Sequence, residues 1–320
     1  GTCAMTSVGS LALYDTICAA QLGDVIGSLD FEGLTGLRNA FDPRIHQVRG
    51  QKGQMLVAEN MRKLLEGSEI LDNCQKDRVQ DAYALRCIPQ LHGAVRDALD
   101  YVRDKVEIEL NAVTDNPLIF PKGDGHYEFL SGGNFHGEPT GFAMDLLTMS
   151  LAEIGNIADR RCFSLCDPTL SYGLPLALAG EPIGLNYGYN IICCSTSALA
   201  SENKTLCFPS VCDNIPTKAN QEDHVSMAPW AARKAQLAIR NLEKILGIEL
   251  LLASRGIFIS SEKLGQFKLG KGTQVAYKLV TDRVAFQRED IYMGDQSKAT
   301  IGLVESDELL KAVEAAVGEL

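Results

Sequence analysis

Residues 93–110 read GAVRDALDYVRDKVEIEL, and the spacing of their apolar side chains decides the fold class. Val95, Ala98, Leu99, Val102, Val106 and Leu110 recur at steps of three and four, which winds them into one stripe along a helix. The pattern returns in 232–252 through Leu237, Leu242, Ile245, Leu246 and Leu250. Residues 141–160 are mostly Ala, Leu, Met and Ile and predict a helix buried on most sides. Near the end, Ser306 is placed to cap a last helix, with Asp307 and Glu308 in the first turn, where the dipole favours acids. Strand-like alternation is scarce, and 126–130 is the one fair candidate. An all-α architecture follows, a bundle of long packed helices joined by polar, Gly-rich loops.

The chain has 320 residues, 46% of them hydrophobic and 22% charged, the composition of a soluble globular protein with a large core. Lys plus Arg is 30 against 41 for Asp plus Glu, a net charge of -11 that repels phosphate backbones and excludes nucleic acid as a partner. No apolar run approaches the roughly 20 residues of a membrane span, which excludes a membrane protein. The cysteines, at 3, 18, 74, 87, 162, 166, 193, 194, 207 and 212, form no CxxC pair and no zinc-finger spacing with the histidines. They read as reduced thiols of a cytoplasmic protein acting as small core residues. Cys162 and Cys166 share a helix face, but a metal site needs two more ligands. There is no internal repeat. Gly and Lys rise over 256–273, which sets a soft boundary between a central helical bundle with active-site loops (1–255) and a C-terminal helical region (256–320).

Five segments carry candidate chemistry. Gly265 to Thr273 nearly matches a phosphate-binding loop, but Gly272 stands where the Mg²⁺-binding hydroxyl belongs and no strand precedes it, so it reads as an exposed basic loop. Asp115-Asn116-Pro117 follows the 93–110 helix and reads alone as a helix stop. Ser131-Gly-Gly-Asn-Phe-His-Gly-Glu-Pro139 crowds Asn134, Phe135, His136 and Glu138 behind two glycines, a mixture more typical of sites than of solvated turns. His136 by itself reads as a hydrogen-bonded structural histidine. Gln80, Tyr83 and Arg86 stand three residues apart, on one face if the segment is helical. There an Arg can hold a carboxylate and a Tyr can relay a proton. A helix-surface salt bridge with a half-buried Tyr fits that segment equally well. Asn220-Gln-Glu-Asp-His224 packs two acids, two amides and a histidine together; a helix N-terminus explains Glu222 and Asp223 but not the block.

Taken together the last three blocks resemble the aromatic amino acid ammonia-lyases, most closely their histidine-acting members. The matching segments are Gly1-Thr2-x-Ala4-Met5-Thr6, Arg49-Gly50-Gln51-x-Gly53-Gln54, Val79 to Cys87, Thr114 to Pro117, Ser131 to His136, Ala200 to Lys204 and Asn220 to Met227. They occur in family order up to about residue 255, and the remainder fits more loosely.

The resemblance implies the ammonia-lyase/fumarase-like helical architecture. It also implies a non-oxidative elimination of ammonia from L-histidine to give urocanate. The alternatives are an ammonia-lyase or 2,3-aminomutase on another aromatic amino acid, or a catalytically silent scaffold subunit. Fumarase-type lyases are disfavoured because their Gly-Ser-Ser-x-Met-Pro loop is absent. The family's electrophile is methylidene-imidazolone, formed autocatalytically from an Ala-Ser-Gly run, with no metal required. Ala-Ser-Gly does not occur in these 320 residues. In the family it lies upstream of the segment matching Gly1, with an active-site Asn just before that position. The expectation is therefore a C-terminal portion, with a split or processed enzyme whose N-terminal partner polypeptide carries the electrophile placed ahead of a truncated chain.

By the same resemblance Arg86 binds the substrate carboxylate, and Tyr83 assists proton movement near the reacting carbons. Gln80 bonds around the electrophile, and Asn134 and Phe135 support and pack against it. Glu222 faces the substrate's ring or amino group. The phenylalanine-acting relatives usually carry Gln at that position, so Glu222 favours histidine, whose imidazole offers an N–H. The assembly implied is a homotetramer, or a heterooctamer if split, with each active site drawn from three subunits.

Overall fold

The computed structural model describes residues 1–73, 77–265 and 267–320. Cys74 and Gln266 lie outside the described residues. Among those described, twelve helices follow one another: α1 (Thr2–Gly33), α2 (Pro43–Gln47), α3 (Lys52–Leu64), α4 (Glu69–Asn73), α5 (Tyr83–Arg86), α6 (Ile88–Asn111), α7 (Glu138–Cys166), α8 (Asn190–Leu206), α9 (Ala228–Leu264), α10 (Lys271–Thr281), α11 (Met293–Val304) and α12 (Glu308–Val317). The all-α expectation holds, and the three helices read from periodicity lie inside α6, α7 and α9. Their stripes are the buried ones. Val95, Leu99, Val102 and Val106 of α6 are buried, as are Leu242, Ile245, Leu246 and Leu250 of α9, whereas Leu110 and Leu237 are exposed.

The strand expected at 126–130 is present as β2 (His126–Leu130), paired antiparallel with β1 (Leu118–Gly123). β1 escaped notice because Pro121 and Lys122 interrupt its alternation. Ser306 does not cap α12: its hydroxyl donates back to the Leu303 carbonyl, and Asp307 occupies the cap position with its carboxylate drawn to Lys311.

The backbone divides into two compact units. Unit 1 comprises 1–16, 98–151 and 203–239, and unit 2 comprises 17–97, 152–202 and 240–320. Residue 256, where composition sets a soft boundary, lies within α9 and within unit 2. The Gly- and Lys-rich stretch runs from the end of α9 into α10, and its described linker residues are held by Glu69 N–H on the Lys268 carbonyl and Gly270 N–H on the Glu32 carboxylate. The exposed basic loop expected here is not found: Leu269, Gly270, Gly272 and Thr273 are buried, and a side chain on Gly272 in the first turn of α10 would strike Leu64, which leaves no phosphate cradle.

α1 corrects a second expectation: by length and composition it is apolar enough to cross a membrane. Its C-terminal half nevertheless carries Asp24, Asp30 and Glu32, all buried within unit 2. Burying those charges demands partners. Asp24 accepts from His92, Arg96 and Asn60 at 2.8–3.1 Å, and Asp30 faces Arg161, which also meets Glu249. α3 and α6 meet in the same unit at Gly53 and Gly93, where a Cβ on either would fall onto the other's backbone. Glycine is required at this crossing.

Candidate active site

In unit 2 the segment 77–86 is built around Asp81, whose side chain is fully buried. Its carboxylate accepts the Leu37 N–H and the Arg78 Nε–H, both at 2.6 Å. Arg78 in turn donates to the carbonyls of Leu34 and Thr35 and lies 3.5 Å from the Tyr172 ring centroid. This clamp fixes the start of α5, whose four residues begin only at Tyr83. Gln80 therefore sits in an exposed bend before the helix, and the common face expected for Gln80, Tyr83 and Arg86 reduces to Tyr83 and Arg86.

That pair is well defined. Arg86 Nε donates to the Asp81 carbonyl at 2.9 Å, and its guanidinium lies 4.7 Å from the Tyr83 ring centroid. Among the described residues its two terminal nitrogens make no hydrogen bond, and Tyr83 is 70% exposed. An oriented guanidinium fork with both prongs free is suited to a carboxylate.

In unit 1 the other expected residues lie on two loops. Asn116 is more than a helix stop: its side-chain oxygen accepts the Ser131 hydroxyl at 3.1 Å and the Gly132 N–H at 2.8 Å. It thereby pins the base of the hairpin to the loop that carries Asn134 and Phe135. The Phe135 carbonyl accepts the Thr2 hydroxyl at 2.5 Å while its ring stays half exposed. Asn134 is exposed and reaches the Val113 carbonyl at 3.4 Å, a long bond that leaves its amide available.

The second loop carries Glu222. Its carboxylate accepts the Thr217 hydroxyl at 2.5 Å and pairs with Lys218 at 3.1 Å. The Thr217 hydroxyl bond, then Lys218, hold the Glu222 carboxyl below the usual range, so it stays ionised. Backbone bonds between Thr217 and Glu222 close the turn, with Lys218, Ala219 and Asn220 at φ values of 43°, 53° and 66°. Three consecutive non-glycine residues in the left-handed region is an unusual backbone. Asn214 secures the residues after Glu222, donating to the Asp223 carbonyl and accepting the Val225 N–H, both at 2.8 Å. Thr217, Lys218 and Asn214 escaped the sequence reading, because nothing in their spacing ties them to Glu222.

The structure thus gathers Tyr83 and Arg86 in one unit and places Asn134, Phe135 and Glu222 on ordered loops of the other. Fold and site together define a helical protein of the ammonia-lyase fold, with its polar residues carried on loops. The aromatic amino acid lyase family model matches residues 1–282. The chain belongs to the aromatic amino acid lyase family. It is similar to histidine ammonia-lyase 1 of Fusobacterium nucleatum, 45% identical over all of this chain and 61% of that protein. The histidine ammonia-lyase of Alkaliphilus oremlandii is likewise 45% identical, over 99% of this chain and 61% of its own length. The chain therefore spans about three fifths of the curated relatives it matches. Among solved structures, histidine ammonia-lyase from Trypanosoma cruzi superposes with a TM-score of 0.88 at 38% identity, covering 98% of this chain and 58% of that one. Tyrosine aminomutase from Streptomyces globisporus gives 0.91 at 33%, covering 99% and 62%.

Proposed function

We propose that this chain contributes the carboxylate- and ring-recognising part of an active site that eliminates ammonia from L-histidine to give urocanate. The observation that carries the reading is the open Arg86 fork beside the exposed Tyr83 ring. The 45% identity to histidine ammonia-lyases along the whole chain supports it. Arg86 binds the substrate's α-carboxylate by donating two parallel hydrogen bonds to its oxygens. The Tyr83 hydroxyl, a turn away, moves a proton near the reacting carbons. Glu222, held ionised by Thr217 and Lys218, accepts the imidazole N–H, a bond a phenyl ring does not offer. The β-proton leaves as a proton and the Cα–N bond breaks with ammonia as leaving group, so no redox partner enters.

Methylidene-imidazolone, when bound, supplies the electrophile that makes the amine expellable. Its parent Ala-Ser-Gly run is absent from this sequence, so the group belongs to polypeptide outside these 320 residues. The donor set present here fits it: Phe135 offers an exposed ring face, and the exposed amides of Asn134 and Gln80 suit a small neutral heterocycle with a carbonyl. The working assembly is a cytoplasmic homotetramer, or a heterooctamer with a separate N-terminal polypeptide. In it, exposed apolar side chains such as Phe142, Met149 and Leu237 are covered.

The likeness to a tyrosine aminomutase supports a second reading, elimination followed by re-addition of the amine on another aromatic amino acid. The test is to purify the native protein with whatever copurifies, measure intact masses, and offer L-histidine, L-tyrosine and L-phenylalanine. Urocanate, together with a polypeptide lighter than its sequence by two waters, is the expected result. A β-amino acid or an aryl acrylate in place of urocanate overturns the substrate assignment, and no product from any of the three overturns the lyase reading.

A further inference from the structure

Three side chains that the lyase reading leaves unused meet in unit 1. His136 and Glu138 flank Gly137 where α7 begins, and His224 arrives from 88 residues further along the chain. One donor atom from each lies within 4.8 Å of the other two. His136 Nε2 and His224 Nδ1 face each other at 3.4 Å, with the rings stacked 5.5 Å apart and 24° from parallel. Glu138 Oε2 is buried without a hydrogen-bond partner and lies 3.8 Å from Nδ1, the other ring nitrogen of His136. A small rotation of the Glu138 side chain is therefore needed to bring it onto an ion held at Nε2, which also lies 3.4 Å from the His224 carbonyl. We propose that His136, Glu138 and His224 form a binding site for one divalent transition metal of the Zn²⁺ type. Such a metal ties the loop of Asn134 and Phe135 to the segment of Glu222.

The chemistry favours a metal over a simple polar contact. A separation of 3.4 Å is long for an N–H···N hydrogen bond. It matches the spacing of two ligands on a tetrahedral ion, about 3.4 Å for metal–nitrogen bonds of about 2.0–2.1 Å. A buried carboxylate oxygen without a partner is uncommon and calls for a donor or a cation. Two imidazoles with one carboxylate select zinc, cobalt or nickel over magnesium or calcium, which prefer oxygen alone. Three protein ligands leave a fourth position for water.

The frame is already set. Asn214 holds the backbone on both sides of His224. A Cβ on Gly137 would strike Met5 and come within 3.3 Å of Ser226 Oγ, and one on Gly141 would lie 3.2 Å from the Ser226 carbonyl. Backbone packed this closely leaves little to be ordered when the ion arrives. A histidine that reads as purely structural in the sequence is therefore one corner of a three-residue cluster assembled by tertiary contact.

The test is a competition titration of the chelator-stripped 320-residue protein with Zn²⁺ against a chromophoric indicator, repeated with Co²⁺. One equivalent of Zn²⁺ per chain is expected, with visible cobalt d–d bands and no thiolate-to-cobalt charge-transfer band. H136Q/H224Q, shown folded by circular dichroism, abolishes the binding, and E138Q weakens it roughly 10- to 100-fold. If the double variant misfolds, the single H224Q on the exposed loop carries the same expectation. Failure to compete with the indicator, binding unchanged in the histidine variants, or a thiolate charge-transfer band each overturns the proposal. These readouts are independent of lyase activity.

Discussion

The guanidinium of Arg86 lies over the Tyr83 ring, 4.7 Å from its centroid, while its Nε is tied to the Asp81 carbonyl at 2.9 Å. One edge of the fork is thus anchored and the other is free. The anchor depends on the buried Asp81 carboxylate, which holds its own backbone through Leu37 and Arg78. The carboxylate recognition proposed for Arg86 therefore rests on a short turn rather than on a long helix.

Arg86→Lys removes both the anchored Nε and the second prong, because an ammonium is a point charge. The expected result is a KM for L-histidine raised about 10- to 100-fold, the loss of one or two charge-assisted hydrogen bonds. Tyr83→Phe keeps the ring under the guanidinium and removes only the hydroxyl. It lowers kcat by about 10²-fold or more with KM little changed. Steady-state kinetics of the assembled enzyme separates the two, and an unchanged KM in R86K places the carboxylate elsewhere.

Glu222 titrates below the ordinary carboxylate range because the Thr217 hydroxyl, and then Lys218, stabilise its charged form. Its ionised form therefore persists below the ordinary Glu value of about 4.3 and is lost as pH falls through the depressed value. Thr217→Val deletes the hydroxyl bond, and the acid limb of kcat/KM moves to higher pH. Glu222→Gln removes the charge and lowers kcat/KM for histidine more than for phenylalanine. A pH–rate profile of each variant checks both, and an acid limb unmoved in T217V removes Glu222 from ring recognition.

How much of this was legible in the sequence differs by element. α6 and α9 could be read because one amphipathic stripe of Val95, Leu99, Val102 and Val106, or of Leu242, Ile245 and Leu246, is a local signal. β1 could not, because Pro121 breaks its alternation and its pairing is supplied by β2. Tyr83, Arg86 and Glu222 could be picked out because residue type and resemblance marked them. Their holders could not. Asp81 reaches back 44 residues to Leu37, and Asn214 steadies the backbone on both sides of His224 from the far side of a left-handed turn. The buried ionic residues of α1 were invisible for the same reason: Asp30 and Arg161 stand 131 positions apart.

That ionic cluster is asymmetric. Arg161 Nε lies 2.6 Å from Glu249 and 3.2 Å from Asp30, with all three side chains fully buried. Burial, and then the neighbouring Glu249 carboxylate, push the Asp30 carboxyl well above its usual range, which makes Asp30 the acid of this cluster that holds a proton most readily. Asp30→Asn imitates the protonated carboxyl and is expected to change stability by less than about 1 kcal/mol. Glu249→Gln strands the Arg161 charge and costs about 3–5 kcal/mol. Urea denaturation of the two variants decides it, and equal losses would mean that both carboxylates are ionised.

The lowered Asp24 and His92 values predict a fold that loses stability in acid. Burial opposes the Asp24 charge, but Arg96, His92 and Asn60 outweigh it, and the carboxyl lies below its usual value. Burial holds His92 below the usual imidazole range, with Asp24 only partly offsetting it, so the ring is neutral and donates through Nδ1 to the carboxylate. His46 is pushed the same way, again by burial. As pH falls below about 6.5, the unfolded chain takes up protons that these folded histidines refuse, and stability declines until the lowered values are reached. A second decline begins below about 3.9, where unfolded Asp24 is protonated and the folded carboxylate is not. His92→Gln retains a donor toward Asp24 and removes the titrating ring. Melting temperature followed by circular dichroism from about pH 8 to 5 should fall less steeply in this variant than in the parent, in the manner expected of one lost proton-uptake site. A slope identical to the parent's would assign the acid sensitivity of this range to His46 instead.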